Sequence, residues 1–171
     1  MNKSNVSLTG FMGSGKSTVG RILSLKLGKL FVDLDEIIEI SLGRKITEIF
    51  QNSGEKYFRD AESNVIEKIY LNSGCVFSCG GGVILRDKNM QVIKANSAVI
   101  YLDVSAINAV ERLKHFGDRP LLQSEDRYDR ASELLSSRID LYRKYSDFIA
   151  DTNGMEPEEV AKTIISYYKT L

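Results

Sequence analysis

The chain has 171 residues, a length typical of one domain. Hydrophobic residues make up 43% of it and charged residues 27%, which is the composition of a folded globular protein and excludes a disordered chain. The 23 basic and 23 acidic residues cancel, and this neutrality argues against binding nucleic acid or an anionic membrane through bulk positive charge.

Three further features restrict the chemistry and the location. The longest apolar run, Ala98 to Leu102, is far shorter than the roughly 20 residues of a membrane helix, and the first residues match neither a signal peptide nor a transit peptide. We therefore expect a cytoplasmic protein. Cys75 and Cys79 fall in one predicted strand, too far apart for a disulfide, so both thiols are expected to be reduced. With His115 as its only histidine, the chain lacks the residues for a His-based triad.

Short apolar segments alternate with longer segments of helical spacing along the chain. The predicted strands are residues 6–9, 29–33, 74–79, 98–103 and 147–151. The predicted helices are residues 16–27, 35–42, 46–72 with a break near Gly54, 86–95, 105–115, 127–144 and 158–171. This alternation predicts an α/β fold over residues 1–171, a three-layer αβα domain with a five-stranded parallel sheet that binds ligands at the carboxyl ends of its strands.

The most specific motif follows the first predicted strand, at residues 10–18, with the sequence GFMGSGKST. It matches the P-loop pattern G-x-x-x-x-G-K-[ST], in which glycines let backbone N–H groups turn toward phosphate oxygens at a helix N-terminus. Lys16 would supply a positive charge to the β- and γ-phosphates, and Ser17 a hydroxyl to Mg²⁺. The alternative is an ordinary glycine-rich turn. A P-loop indicates nucleotide binding without specifying the reaction.

Two carboxylates follow the second predicted strand, Asp33 and Asp35. If the strand geometry continues, both point to the same side. One is suited to the Mg²⁺ shell, and the other to orienting a substrate hydroxyl or accepting its proton. The alternative for Asp35 is a purely structural helix N-cap.

Glycines and arginines complete the candidate site. Three consecutive glycines, residues 80–82, end the third strand and indicate either a close backbone approach to a ligand or a flexible turn. Arg59 is placed to hold an anion bidentately, or to form a surface salt bridge. Arg119 lies in the loop at residues 116–126, a candidate lid in which an arginine neutralises the transferring phosphoryl group. Arg138 is a second anion ligand, or only the i,i+4 partner of Tyr142.

In their order, these motifs resemble the shikimate kinase family over essentially the whole chain, from Val6 to the last helix. The resemblance implies a P-loop fold of the nucleoside-monophosphate-kinase type with a lid loop. It also implies transfer of the γ-phosphoryl group of ATP to the 3-hydroxyl of shikimate, which gives shikimate 3-phosphate and ADP in the chorismate pathway to aromatic amino acids.

The resemblance also implies a role for each matching residue. Asp35 contacts the accepting hydroxyl, as a base or only as an orienting group. Glu62 orients Arg59 from one helical turn away. The residues implied in catalysis are Lys16, Asp35 and Arg119. Those implied for ATP are Gly13, Ser14, Gly15, Lys16, Ser17, Thr18, Arg112, Arg119 and Pro157. Those implied for shikimate are Asp35, Arg59, Gly80, Gly81, Gly82 and Arg138. Those implied for Mg²⁺ are Ser17 and Asp33.

Alternative functions remain open at this point. A gluconate or nucleoside-monophosphate kinase would share the P-loop, but two arginines with a triple glycine favour a carboxylated acceptor. A GTPase switch needs an N-K-x-D segment late in the chain, which the sequence lacks. A non-catalytic relative is expected to lose Lys16, Asp35 or Arg119. The expected partners are ATP and shikimate, with no nucleic acid and no membrane, and the expected state is a monomer.

Overall fold

The computed structural model describes residues 3–114 and 126–171. The strands are β1 (Asn5–Thr9), β2 (Leu30–Asp33), β3 (Cys75–Ser78), β4 (Ser97–Asp103) and β5 (Phe148–Asp151). The helices are α1 (Lys16–Leu27), α2 (Leu34–Leu42), α3 (Ile46–Ile69), α4 (Asp87–Asn96), α5 (Ala106–Leu113), α6 (Arg127–Ser136), α7 (Ile139–Tyr145) and α8 (Pro157–Tyr168). A short 3₁₀ helix, Val83–Leu85, precedes α4.

The five described strands form one sheet in the order β2-β3-β1-β4-β5, and every neighbouring pair is parallel. The predicted parallel α/β architecture is therefore confirmed. The chain continues to one side of β1 with β2 and β3 and to the other side with β4 and β5. The carboxyl end of β1 is thus the point at which the strand order reverses, where ligands of such sheets bind.

Helices cover both faces of the sheet. Alternate residues of β4 enter different core clusters: Val99 and Tyr101 belong to one, and Ile100 belongs to the other. The cluster around Ile100 also contains Leu23 of α1 and Ile164 of α8. Burial on both faces explains why β4 is a nearly continuous apolar run rather than an alternating one.

The prediction of one helix over residues 127–144 is wrong. The structure has α6 and α7 there, with Arg138 between them at φ −117° and ψ −17°. The backbone hydrogen bonds change at this point. The Arg138 N–H donates to the Leu135 carbonyl oxygen, only three residues back, and the Arg138 carbonyl oxygen accepts a bond from the Tyr142 N–H in α7. Arg138 is therefore a helix-terminal residue rather than a mid-helix residue.

The start of α2 corrects a second expectation. The N-cap of this helix is Asp33, whose carboxylate accepts a hydrogen bond from the Asp35 N–H at 3.1 Å. Asp35 lies in the first turn, so capping does not explain its side chain. Other local predictions are confirmed: Ser105 caps α5, Gly28 ends α1 at φ 63°, and the break in α3 occurs at Gly54.

Two other expectations concern the thiols and the membrane. Cys75 and Cys79 are both free and buried, as predicted. Burial raises the pKa of the Cys79 thiol to about 12, so it stays protonated. Within residues 3–114 and 126–171, no helix is both long enough and apolar enough to span a membrane.

Candidate active site

The loop at residues 10–18, the phosphate loop, connects β1 to α1 at the reversal point of the sheet. Its glycines are required by space as well as by conformation. A Cβ built on Gly13, which has φ 74°, would lie 2.6 Å from the Ala109 carbonyl oxygen. A Cβ built on Gly10 would lie 2.7 Å from the Leu102 carbonyl oxygen. The loop is therefore pressed against β4 and α5, which fixes the direction of its backbone N–H groups.

Lys16 is the first residue of α1, and its ammonium lies inside the loop. Its Nζ donates hydrogen bonds to the carbonyl oxygens of Gly10 and Phe11, at 2.9 Å each. The positive charge is thus held where the helix N-terminus already favours an anion.

An oxygen cluster lies beside the phosphate loop, formed by Ser17, Asp33 and Ser78. The Ser17 hydroxyl donates to Asp33 Oδ2 at 2.8 Å, and its oxygen is 3.3 Å from Ser78 Oγ. Asp33 and Ser78 are register partners at the ends of β2 and β3. The two predicted metal ligands are therefore adjacent. Sequence reasoning did not include Ser78, because nothing in the chain marks it as a neighbour of residue 17.

The triple glycine, residues 80–82, meets the acceptor side of the site. A Cβ built on Gly80 would lie 2.8 Å from Asp35 Oδ1 and 3.4 Å from Glu62 Oε1. A Cβ built on Gly82 would lie 2.2 Å from Arg59 Nη2. The glycines are therefore a surface against which the predicted acceptor residues pack, rather than only a flexible turn.

Arg59 is fixed by two glutamates. Its Nη1 donates to both oxygens of Glu62 at 3.0 Å, and its Nε donates to Glu55 at 3.3 Å. The side chain is only 12% exposed, so the contact is a salt bridge but not a surface one. Burial raises the pKa of Glu62, whereas the adjacent Arg59 charge lowers it. The prediction that Glu62 orients Arg59 agrees with this geometry.

Arg138 lies at the start of α7, one turn before Tyr142. The Tyr142 hydroxyl donates to the Gly81 carbonyl oxygen at 2.5 Å, so α7 is joined directly to the triple glycine. Burial raises the pKa of Tyr142 to about 12, and the charges of Arg138 and Arg59 oppose this shift. The two predicted anion ligands therefore approach the same phenol from different helices.

The predicted adenine residues lie at the other end of the phosphate loop. Arg112 Nη1 donates to the Gly13 carbonyl oxygen at 3.3 Å and to Thr152 Oγ1 at 3.1 Å. Pro157 is in the first turn of α8, shortly after Thr152. His115, Arg119 and nearly all of the predicted lid lie outside the described residues, which resume at 126.

The sheet and the phosphate loop define a class, the P-loop proteins of the nucleoside-monophosphate-kinase type. Comparison with known proteins then identifies one family within this class. A family model described as "Shikimate kinase" matches residues 12–169. A shikimate kinase of Thermodesulfovibrio yellowstonii is 47% identical over 167 residues, which cover 98% of this chain and 96% of that protein.

Solved structures agree with this result. A shikimate kinase from Acinetobacter baumannii, solved in complex with shikimate, superimposes with a TM-score of 0.92 at 34% identity, over 97% of this chain and 93% of that one. A gluconokinase from Sinorhizobium meliloti has a TM-score of 0.60 at 18% identity, over 99% and 93% of the two chains, a likeness of fold alone. The chain belongs to the shikimate kinase family. It is an ATP-dependent kinase that phosphorylates a hydroxyl of shikimate, a step of aromatic amino acid biosynthesis.

Proposed function

We propose that the residues around the phosphate loop and the triple glycine transfer the γ-phosphoryl group of ATP to the 3-hydroxyl of shikimate. The observation that carries this assignment is the packing of Asp35 and Arg59 against the same short backbone segment. Built Cβ atoms on Gly80 and Gly82 would lie 2.8 Å from the Asp35 carboxylate and 2.2 Å from the Arg59 guanidinium. One acceptor molecule can therefore offer a hydroxyl to the first and an anion to the second.

On the nucleotide side, the backbone of residues 13–18 and the N-terminus of α1 bind the phosphates of ATP. Lys16 supplies a fixed positive charge to the transferring phosphoryl group, whose oxygens carry the negative charge of the transition state. We assign Arg112 and Pro157 to the adenine and Arg119 to the phosphates of ATP, as the resemblance to the family implies.

The residues that we assign to Mg²⁺ are Ser17 and Asp33. Their hydroxyl and carboxylate oxygens fit a hard cation, and their 2.8 Å separation lets both reach one ion or its bound water. Mg²⁺ usually keeps several waters and takes only one or two protein ligands beside the phosphates of its substrate, so these two residues are sufficient for the assignment. When bound, Mg²⁺ neutralises charge on the phosphates.

On the acceptor side, Arg59 and Arg138 bind the carboxylate of shikimate and so fix the ring. Asp35 then accepts a hydrogen bond from the 3-hydroxyl and directs its oxygen toward the γ-phosphorus. A new P–O bond forms there as the bond to the β-phosphate oxygen breaks, ADP leaves, and the hydroxyl proton is released to Asp35 or to solvent. Phosphoryl transfer depends chiefly on positioning and charge neutralisation, so no histidine is needed.

We also infer that residues 1–171 form a single domain that works as a monomer in the cytoplasm. The one five-stranded sheet that the described residues form supports the single-domain part of this proposal.

A methyl group at Gly82 tests the acceptor assignment. The Gly82→Ala variant must displace the Arg59 guanidinium, because the added Cβ would overlap it. We expect KM for shikimate to rise about tenfold, a loss on the scale of one charge-assisted hydrogen bond, with KM for ATP unchanged. Initial rates with one substrate varied at a time provide the measurement.

The control is Gly28→Ala, at the end of α1, where nothing lies within 4 Å of the added Cβ and only the left-handed backbone, at φ 63°, is strained. It tests the effect of a methyl group far from the site. If Gly82→Ala leaves KM for shikimate unchanged, or changes KM for ATP instead, Arg59 does not bind the acceptor.

A further inference from the structure

We propose that Tyr142 is a positioning residue of the shikimate pocket, because its hydroxyl holds the Gly81 peptide and lies beside the Arg138 guanidinium. The proposal rests on the acceptor roles assigned above to Arg138 and the triple glycine. It adds a residue that is expected not to touch the substrate but to fix two groups that do.

The position of the phenol oxygen is set by packing. Tyr142 is completely buried, and its ring stacks on that of Tyr101, with centroids 4.9 Å apart and planes 6° from parallel. Tyr101 belongs to β4 and donates its own hydroxyl to Asp103 at 2.8 Å. The Tyr142 ring is thus packed firmly against the sheet. Its hydroxyl therefore has a fixed position from which it can hold the backbone of the triple glycine.

The hydroxyl holds the Gly81 peptide, which belongs to the glycine segment that we assign to the shikimate site. The hydroxyl donates to the Gly81 carbonyl oxygen at 2.5 Å. A Cβ built on Gly81 would lie 3.7 Å from that hydroxyl and 3.8 Å from the Met12 nitrogen, so this glycine lies between α7 and the phosphate loop. The peptide is trans, and the N–H of Gly82 therefore points away from Tyr142. Because three glycines in a row have little intrinsic preference, this bond helps to fix how the peptide plane is turned, together with the backbone bonds from Val83 N–H to Gly80 and from Leu85 N–H to Gly82.

The arginines provide the second link. Arg138 and Arg59 lie close enough to the phenol for their charges to lower its pKa, which burial raises to about 12. The phenol therefore remains a neutral donor to Gly81 throughout the neutral range. Its oxygen keeps free lone pairs for a guanidinium N–H. The Arg138 backbone is held at the N-cap of α7, where its carbonyl oxygen accepts from the Tyr142 N–H, and the Tyr142 hydroxyl is placed to hold the guanidinium at a defined distance from the triple glycine.

Removal of the hydroxyl tests the proposal. In Tyr142→Phe the ring and its stacking remain, while the bond to Gly81 is lost. We expect KM for shikimate to rise at least about fivefold, the scale of one hydrogen bond, with kcat and KM for ATP within about twofold of wild type. Calorimetric titration should show a matching loss of shikimate affinity. The thermal midpoint of each variant shows that it is folded.

Tyr145→Phe is the matched control. Tyr145 lies on the same helix, is 7% exposed, and donates its hydroxyl to Asp87 at 2.5 Å, away from the pocket. Its removal should leave KM for shikimate unchanged at a similar thermal midpoint. If both variants shift KM equally, or if Tyr142→Phe raises the two KM values together, Tyr142 is only structural.

Arg138→Ala separates this proposal from the one on which it rests. If Arg138→Ala raises KM for shikimate and Tyr142→Phe does not, the acceptor assignment stands and the positioning role is wrong. If Arg138→Ala also has no effect, the acceptor assignment itself fails. Because Tyr142 acts through both Gly81 and Arg138, the double variant should be worse than Arg138→Ala, but by less than the loss in Tyr142→Phe alone, since the effects of coupled residues do not add.

Discussion

Lys16 shows how one side chain serves both the loop and the reaction. Its ammonium donates to the Gly10 and Phe11 carbonyl oxygens, and these two bonds fix its position inside the loop. Fixed charge is more effective in catalysis than mobile charge, because no reorganisation is needed when the transition state forms.

Replacement of Lys16 by alanine should therefore lower kcat at least about 100-fold, the loss associated with one preorganised charge. Steady-state rates with saturating ATP and shikimate measure the effect. Lys26→Ala is the control, since Lys26 is an exposed lysine in the last turn of the same helix. Near-normal turnover in Lys16→Ala would contradict the assignment of the phosphate loop.

Single residues were predicted unequally well from the sequence. Lys16, Ser17 and Asp33 could be assigned because a contiguous motif or a strand end marks them. Ser78 and the hydroxyl of Tyr142 could not, because their contacts join residues 61 positions apart. Such contacts depend on strand register and on helix packing, neither of which local spacing specifies.

Among the elements, α3 is distinguished by its internal break. Gly54 has φ 78° and ψ 168°, a conformation that essentially only glycine adopts. The break separates the segment that packs on α2 through Ile49 from the segment that carries Arg59 and Glu62. Arg59 and Glu62 therefore lie on the second segment of α3, which packs into the same buried cluster as Ile49 through Phe58 and Val65.

We expect Gly54→Ala to lower the free energy of unfolding by about 1–3 kcal/mol, through backbone strain alone. Steric overlap is not involved, because nothing lies within 4 Å of a Cβ at this position. Urea denaturation followed by circular dichroism measures the change. Gly43→Ala, at the left-handed end of α2, should cost only about 1 kcal/mol. Equal stability of Gly54→Ala and wild type would show that the break relaxes without cost.

Element boundaries followed from the sequence where a distinct chemical feature marks them. Glycine ended α1, and serine capped α5, as predicted. The separation of α6 from α7 was missed, because residues 127–144 retain helical spacing across Ser137 and contain no glycine or proline to mark the interruption.

At the scale of the whole molecule, the alternation of strands and helices predicted the parallel sheet, since parallel strands need crossover connections. The strand order is harder to predict from the sequence, because it depends on the edge of the sheet at which each successive strand pairs. Once the order is β2-β3-β1-β4-β5, the ends of β1, β2 and β3 meet, and the phosphate loop, oxygen cluster and triple glycine come together. Although the net charge of the chain is zero, the basic residues Lys16, Arg59 and Arg138 are clustered at this site.

The site at the ends of β1, β2 and β3 should accept shikimate in preference to the acceptors of other P-loop kinases. ADP release from ATP should be measured with shikimate, gluconate, AMP, CMP or water as acceptor, at equal enzyme concentration. We expect rapid ADP release with shikimate, together with formation of shikimate 3-phosphate. With each of the other acceptors, we expect no ADP release above the rate with water. Release with gluconate or a nucleotide at the shikimate rate, or no stimulation by shikimate, would contradict this expectation.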